Sequence, residues 1–300
     1  MDEATGVEQN AINVKVYGAS DMGRIRKNNE DNFVVCNLTT GEVGMTPSLR
    51  AHTLGRLGSL FMVADGMGGE ASGEVASQIC TLTVPKRLHE DLKSRDRVSA
   101  ANFVLLLRES IEYANQIIHQ KALSDPIHRG MGTTATVAAL FGPCLFVAQV
   151  GDSRAYLIRG DELAQLTRDQ TFLNYLKEIG VEVPSDPEMD SRKSILTQAV
   201  GSSENVNVKV TYTKVRQADS LLLCSDGLYN MVPPADIFAV MKGTEPLANK
   251  CQSLIDRANA RGGSDNITVV MAEFSGPGLP HAAPAAAVES KEFREQDFFS

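Results

Sequence analysis

Three acidic residues of the chain stand at the ends of apolar runs, where a fold can hold a charge at the rim of its core. Apolar runs with β-branched and aromatic members predict buried strands. Two of the acids are followed by glycine, which lets backbone approach a ligand closely. The acids and the runs before them are Asp65 after 59–64, Asp152 after 145–151 and Asp226 after 221–225.

Two further predicted strands begin beside acids rather than ending on them. Glu30 and Asp31 precede the run 33–36, and Asp265 precedes the run 267–271. If neighbouring strands are antiparallel, strand starts and strand ends share one edge, so all six acids could converge there. Such a cluster repels itself unless its pKa values rise or cations bind. Because the predicted ligands are oxygens, with no histidine or cysteine nearby, Mg²⁺ and Mn²⁺ are the ions that fit.

Six short motifs lie at boundaries of the predicted strands, at 20–31, 64–69, 132–134, 151–154, 225–227 and 264–266. In this order they resemble the motifs of the metal-dependent serine/threonine protein phosphatases (the PPM or type 2C family), in the form typical of bacterial members. Each motif alone is a common turn sequence, but six in the family's order, each at a strand boundary, are specific. The resemblance covers roughly residues 12 to 274.

The resemblance implies a site for two Mn²⁺ or Mg²⁺ ions. On the family's pattern Asp65 bridges the two ions and the Gly66 carbonyl completes one site. Asp226 and Asp265 ligate the other ion. Asp152, together with Asp226, matches the position that supports a third, weaker ion in bacterial members. The alternative for Asp152 is a structural turn, since Gly-Asp-Ser is common in turns.

The same pattern assigns the remaining roles. Glu30 and Asp31 hold metal-bound water, and Arg26 clamps the phosphoryl group, because a guanidinium fork matches two of its oxygens. Arg24 is the other candidate, but only Arg26 has the family's spacing to the following acids. Met67 stands where eukaryotic relatives carry a histidine proposed as general acid, so the acid stays unassigned.

The resemblance also implies an α+β fold, a central β-sandwich of two antiparallel sheets with helices on both outer faces. Periodicity alone leaves other α+β layouts open. Helical spacing over 70–83 predicts a helix that Pro85 ends, and 99–122 predicts a longer one.

We expect three regions along the chain, with the flap inside the second. A flexible lead (1–11) precedes one catalytic domain (12–274), in which 39–58 is a loop or irregular hairpin. The segment at about 167–191 lies where the family carries a mobile flap, and its role is either substrate selection or a plain solvated insertion. By composition, 275–300 is a disordered tail.

Composition limits the function classes. The 300 residues carry a net charge of −8, which argues against nucleic acid as a partner, since its phosphates need basic patches. The start of the chain lacks a basic secretory signal and no apolar run reaches the length of a membrane span. Five widely spaced cysteines predict buried thiols in a reducing compartment. We expect a cytoplasmic monomer with no membrane partner.

The predicted function is hydrolysis of phosphoserine and phosphothreonine on proteins by a hydroxide bridging two divalent ions, in opposition to a bacterial serine/threonine kinase. One alternative is a catalytically silent module that binds phosphoproteins on the same fold. Another is a metal-dependent phosphodiesterase or nuclease, which the acidic composition disfavours.

Overall fold

The computed structural model of the protein describes residues 10–68, 72–181, 192, 194–281 and 287–294. Two antiparallel sheets lie face to face in this part of the chain. The first sheet contains, in spatial order, β10 (Glu162–Gln165), β9 (Arg154–Arg159), β12 (Ser220–Cys224), β13 (Ile267–Ser275), β1 (Asn13–Asp21) and β4 (Ala51–Thr53).

The second sheet carries the strand that ends at Asp65 near its centre. Its spatial order is β14 (Lys291–Glu292), β11 (Lys209–Lys214), β8 (Cys144–Val150), β7 (Ala135–Phe141), β5 (Ser59–Met67), β2 (Asp31–Asn37) and β3 (Glu42–Val43), with β6 (Gly132–Thr133) paired to the end of β5.

Helices cover both outer faces. They are α1 (Pro47–Arg50), α2 (Ser72–Lys93), α3 (Ala100–Ser124), α4 (Phe172–Glu178), α5 (Asp226–Tyr229), α6 (Pro234–Lys242) and α7 (Leu247–Ala260), with a 3₁₀ turn at Pro126–His128. The apolar faces of α2 and α3 pack on the second sheet, and those of α6 and α7 pack on the first. This arrangement confirms the predicted β-sandwich with helices on both sides.

The continuous apolar runs have a structural cause. Alternate residues of a strand point to opposite faces, and each central strand is buried on both. In β5, Phe61 and Val63 lie in the core between the sheets, whereas Leu60 and Met62 face the helices. An apolar residue is therefore required at every position until the strand leaves the core at Asp65.

The prediction that Pro85 ends the first helix is wrong. Pro85 lies inside α2, which continues to Lys93. Proline lacks the N–H that would bond four residues back, which costs a helix about 3 kcal/mol or more. Val84, Leu88 and Leu92 of the same helix are fully buried, and this burial offsets the cost.

The segment 39–58 is more regular than a loop. It contains β3, which pairs with β2, and β4, which pairs with β1, with the helical turn α1 between them. The segment therefore reaches both sheets.

The prediction of a disordered tail over 275–300 is wrong for the residues that the structure describes. Leu279 is buried, β14 adds a strand to β11, and Phe293 is buried in the core beneath α3. Residues 282–286 and 295–300 lie outside the described residues, as do 1–9 of the predicted lead. Two strand residues gave too short a pattern to recognise within an alanine- and proline-rich segment.

Two predictions from composition can be compared with the described residues. No helix among them is long and apolar enough to cross a bilayer. The five cysteines are free thiols, and four of them are buried, as expected, while Cys144 is half-buried.

A buried ion pair joins β9 to the turn before β12. Arg159 donates to both carboxylate oxygens of Asp219 at 3.0 and 2.7 Å, and the two side chains are 4% and 1% exposed. Loss of one partner leaves the other charge buried and unpaired, so Asp219→Asn should lower the free energy of unfolding by about 3 kcal/mol. Urea denaturation followed by circular dichroism measures this difference.

The exposed pair of Arg87 and Asp91 on α2 provides the control. Asp91→Asn should cost less than about 1 kcal/mol. Equal losses for Asp219→Asn and Asp91→Asn would contradict the assignment of the Arg159 pair to the stable core.

Candidate metal and phosphate site

A cavity of about 760 Å³ opens at the edge where the central strands of both sheets end. Seven of the eight residues predicted to form the site line it: Arg26, Glu30, Asp65, Gly66, Asp152, Asp226 and Asp265. The eighth, Asp31, is buried and is paired with Asp65 across β2 and β5. The structure thus brings the whole predicted set to one edge.

Asp65 is fixed by contacts to its backbone. Its N–H donates to Thr134 Oγ1 at 2.9 Å, and its carbonyl accepts from Thr133 Oγ1 at 2.9 Å. The next N–H, of Gly66, donates to the Glu30 carbonyl at 3.1 Å. These bonds fix the backbone from which the carboxylate projects, and none of them uses a carboxylate oxygen.

Gly66 is required for a reason that the sequence did not reveal. A Cβ at this position would collide with the backbone carbonyls of Gly73 in α2 and of Glu30. The glycine therefore allows the start of α2 to pack against the end of β5, in addition to the predicted close approach of a ligand.

Asp265 is tied to the loop that carries Arg26. Arg26 Nη2 donates to Asp265 Oδ2 at 2.7 Å, and the arginine side chain is 52% exposed. The next residue, Asn266, donates to the carbonyls of Met22 and Asn28, both at 2.9 Å, and accepts from Glu30 N–H at 2.9 Å. Asn266 is a positioning residue to which sequence reasoning gave no role, although it lies in a recognised motif.

Burial and mutual repulsion raise the pKa values of four carboxyl groups in the cluster. Burial raises the pKa of Asp65 well above its usual value, and the neighbouring carboxylates of Asp31 and Asp226 raise it further. Burial, followed by the charge of Asp152, raises the pKa of Asp226 to about 7. Burial raises the pKa values of Asp31 and Asp152 to about 6. This is the expected behaviour of acids gathered for a cation.

The donor set fits a hard divalent cation. Asp31 accepts from Ser225 Oγ at 2.6 Å through Oδ2, but its buried Oδ1 has no hydrogen-bond partner in the described part of the chain. A buried carboxylate oxygen in this condition needs a water or an ion. Within the described ranges, no three Asp, Glu, His or Cys side chains are already close enough to hold an ion. The guanidinium of Arg26 neutralises Asp265 in this arrangement.

Comparisons with known proteins identify the family of the chain. The family model for protein phosphatase 2C matches residues 49–265. The Listeria monocytogenes serine/threonine phosphatase Stp is 34% identical over 254 residues, which cover 85% of this chain and 93% of the relative. The chain belongs to the protein phosphatase 2C family. It is a serine/threonine protein phosphatase of the bacterial type.

Two solved structures support the same assignment. The S. agalactiae serine/threonine phosphatase superposes with a TM-score of 0.72 at 31% identity, covering 86% of this phosphatase and 98% of the other chain. The catalytic domain of the phosphatase PstP in complex with two manganese ions gives a TM-score of 0.69 at 31% identity, with 88% and 99% covered.

Asp152 of the phosphatase is held from the segment predicted as a flap. Gly151 N–H donates to Gln170 Oε1 at 2.7 Å, and Gln170 N–H donates to the Gly151 carbonyl at 3.0 Å. Tyr229 Oη donates to the Asp152 carbonyl at 3.2 Å. The described part of this segment is therefore hydrogen-bonded to the loop that presents Asp152.

Arg154 completes this link. Its guanidinium makes a bidentate ion pair with Asp169, with a shortest distance of 2.6 Å, and lies 3.6 Å from the centre of the Tyr229 ring. Sequence reasoning missed Asp169 and Tyr229, and the only available signal was that Arg154 ends the Gly-Asp-Ser-Arg motif.

Exposed apolar side chains surround the acidic floor of the cavity. Ile25, Met67 and Ile195 line it and are exposed to solvent. Ile195 follows the predicted flap segment, of which 182–191 lie outside the described residues. An apolar rim around a polar centre suits a protein substrate. Sequence reasoning gave Ile25 and Ile195 no role.

The raised pKa values predict an unusual pH dependence of stability without metal. These carboxyls bind protons more readily in the folded protein than in the unfolded chain, where their pKa is about 3.8. Stability should therefore fall as pH rises from about 4 through the folded values of about 6 to 7. We expect the Tm of chelator-treated phosphatase to fall by roughly 5 °C or more between pH 5 and pH 8.

Thermal melts with and without Mn²⁺ check this prediction. Mn²⁺ should remove most of the fall, because it replaces the protons that compensate the cluster. A metal-free Tm that rises from pH 5 to pH 8 would show that the carboxylates do not repel one another as described.

Proposed function

We propose that the phosphatase hydrolyses phosphoserine and phosphothreonine monoesters on proteins with two divalent metal ions, in opposition to a serine/threonine kinase. The observation that carries the proposal is the single cavity that gathers Asp65, Asp226, Asp265 and Arg26 beneath an apolar rim. Two divalent ions bound at such a site supply charge neutralisation for the phosphoryl group and a hydroxide nucleophile near neutral pH.

The carboxylates would hold these ions. Asp65, at the centre of the edge, would contact both, and the Gly66 carbonyl would complete one site. Asp226 and Asp265, from the first sheet, would hold the other ion. Asp152 would add a weaker third site together with Asp226. The PstP relative with two manganese ions supports the count of two, and the choice between Mn²⁺ and Mg²⁺ belongs to the measurement below.

Glu30 and Asp31 would accept hydrogen bonds from water at the ions and so orient it towards the phosphorus. Their position supports this role, since Asp31 is paired with Asp65 and has one unpartnered oxygen. No histidine lines the described part of the cavity, and Met67 lies at its rim. Water would then protonate the leaving serine or threonine oxygen.

Arg26 would leave the carboxylate of Asp265 and bind the phosphoryl group of the substrate. In the ion pair its guanidinium is bound to Asp265. With Asp265 holding a cation, the guanidinium would be available to two phosphoryl oxygens. The exposure of Arg26 permits this movement at little cost in buried contacts.

We further propose that the protein acts as a monomer in the cytoplasm. Its five free cysteines support a reducing compartment.

Phosphate release from a phosphothreonine peptide tests the reaction. The 300-residue protein should release phosphate with Mn²⁺ or Mg²⁺, and excess chelator should abolish release. Asp226→Ala should lower kcat/KM about 10³-fold or more, because the ion loses a ligand. The control Asp91→Ala removes an exposed carboxylate of α2 and should leave activity unchanged.

Normal turnover in Asp226→Ala would overturn the site assignment. No release by folded wild-type protein with either metal would favour a silent phosphoprotein-binding module. Hydrolysis of a phosphodiester but not of a phosphomonoester would favour the nuclease alternative.

A separate prediction concerns Arg26. Arg26→Ala should raise KM for a phosphopeptide about 10-fold and lower kcat, because the phosphoryl clamp is lost. Its affinity for Mn²⁺ should be kept or increased, since Asp265 loses a competing cation. Steady-state kinetics and calorimetric titration of Mn²⁺ separate the two effects. Loss of Mn²⁺ affinity in Arg26→Ala would instead place Arg26 in the support of the metal site.

A further inference from the structure

The segment 287–294 crosses one side of the sandwich and is held at both sheets. At its start Arg159 Nη1 donates to the Ala287 carbonyl at 3.1 Å, and Val288 N–H donates to Glu162 Oε2 at 2.8 Å. Arg159 and Glu162 belong to the hairpin of β9 and β10. At its end the segment forms β14 against β11. Eight residues therefore connect the edges of the two sheets.

Phe293 anchors the far end. It is 5% exposed and belongs to the core cluster between the second sheet and the helices α2 and α3. Its N–H donates to the Val210 carbonyl at 2.8 Å. Beside it lies a cavity of about 310 Å³ bordered by Val208 of the adjoining loop and by Arg108 and Glu112 of α3.

This arrangement has the two features by which proteins bind extended peptides at a sheet edge. Main-chain hydrogen bonds to the edge strand give affinity, and pockets for alternate side chains give selectivity. Here Phe293 enters the core on the helix side. Glu292, the preceding residue, points to the other face of the sheet, where it lies near Lys209 with an N–O distance of 3.8 Å.

On that other face the segment borders a cavity of about 620 Å³. Glu292 and Lys209 line it, and so do Tyr175 and Glu178 of α4, which belong to the described part of the flap segment. Gln149 also lines it, and its Oε1 accepts from Arg168 N–H at 2.9 Å. The docked segment and the base of the flap thus share one cavity.

We propose that the edge of β11 is a docking groove for an extended peptide with an aromatic side chain, and that residues 291–294 are its ligand within this chain. When these residues occupy the groove, they hold the described part of the flap segment (167–181) in place for the binding of protein substrates. The last part rests on the proposed phosphatase function and on a role of the flap segment in substrate selection. Substrate selectivity then depends on a segment remote from the acidic cluster.

Hydrogen exchange measured by mass spectrometry tests the docking. The full-length wild type is compared with Phe293→Ala and with Glu289→Ala, an exposed position in the same segment. Exchange in β11 should become about 10-fold faster in Phe293→Ala and stay unchanged in Glu289→Ala, with β5 unaffected in both. Excess synthetic peptide of residues 287–300 should restore protection, and the same peptide with alanine at the phenylalanine of position 293 should not.

Unchanged exchange in β11 would overturn the proposal. Faster exchange in β5 as well, without rescue by the peptide, would also overturn it, because the segment would then be a fixed part of the core rather than a ligand of a groove.

Kinetics test the link to the flap. In Phe293→Ala, KM for a phosphothreonine peptide should rise about five-fold, while kcat/KM for p-nitrophenyl phosphate, which is too small to need the flap, stays unchanged. Equal KM values for the phosphopeptide in variant and wild type would overturn the link. Absence of phosphatase activity in the wild type would instead contradict the proposed function, and the exchange result would still decide the docking.

Discussion

Mutual repulsion among buried carboxylates is the constraint on which the structure of this phosphatase depends. Register pairs Asp31 with Asp65 across two central strands, and Asp226 and Asp265 arrive from the other sheet at the same edge. Burial and mutual repulsion raise the pKa values of Asp65 and Asp226, so the arrangement is unfavourable by itself. The two sheets and their helices bury enough apolar surface to impose it. Bound divalent cations would relieve this repulsion.

Hydrogen bonds from neutral groups and one ion pair with an arginine stabilise the carboxylate cluster. Ser225 donates to Asp31, Asn266 fastens the loop before Glu30, and Arg26 neutralises Asp265. These contacts fix positions without occupying every carboxylate oxygen. The hydrogen bonds between Gln170 and Gly151 join the described part of the flap segment to the loop that presents Asp152.

The sequence predicted those features that depend on local pattern. Apolar runs that end on Asp65 and Asp226 were recognisable because strands buried on both faces admit no polar residue until they leave the core. The helix through Pro85 was not predicted, because burial of Leu88 and Leu92 outweighs a local penalty. Phe293 was missed because its burial depends on contacts with Val210, far away in the chain. The ion pair of Arg154 with Asp169 was missed for a similar reason, since no periodic pattern records a contact between β9 and the loop that follows β10.

Calorimetric titration of Mn²⁺ into the chelator-treated protein at pH 7, in two buffers of different ionisation enthalpy, tests whether the carboxylate cluster binds divalent cations. About two ions should bind per chain. Their binding should release protons, because carboxyls with raised pKa values must ionise to become ligands. Asp65→Asn should weaken binding and reduce the proton release. Absence of Mn²⁺ binding, or binding that Asp65→Asn leaves unchanged, would show that the cluster is not a cation site.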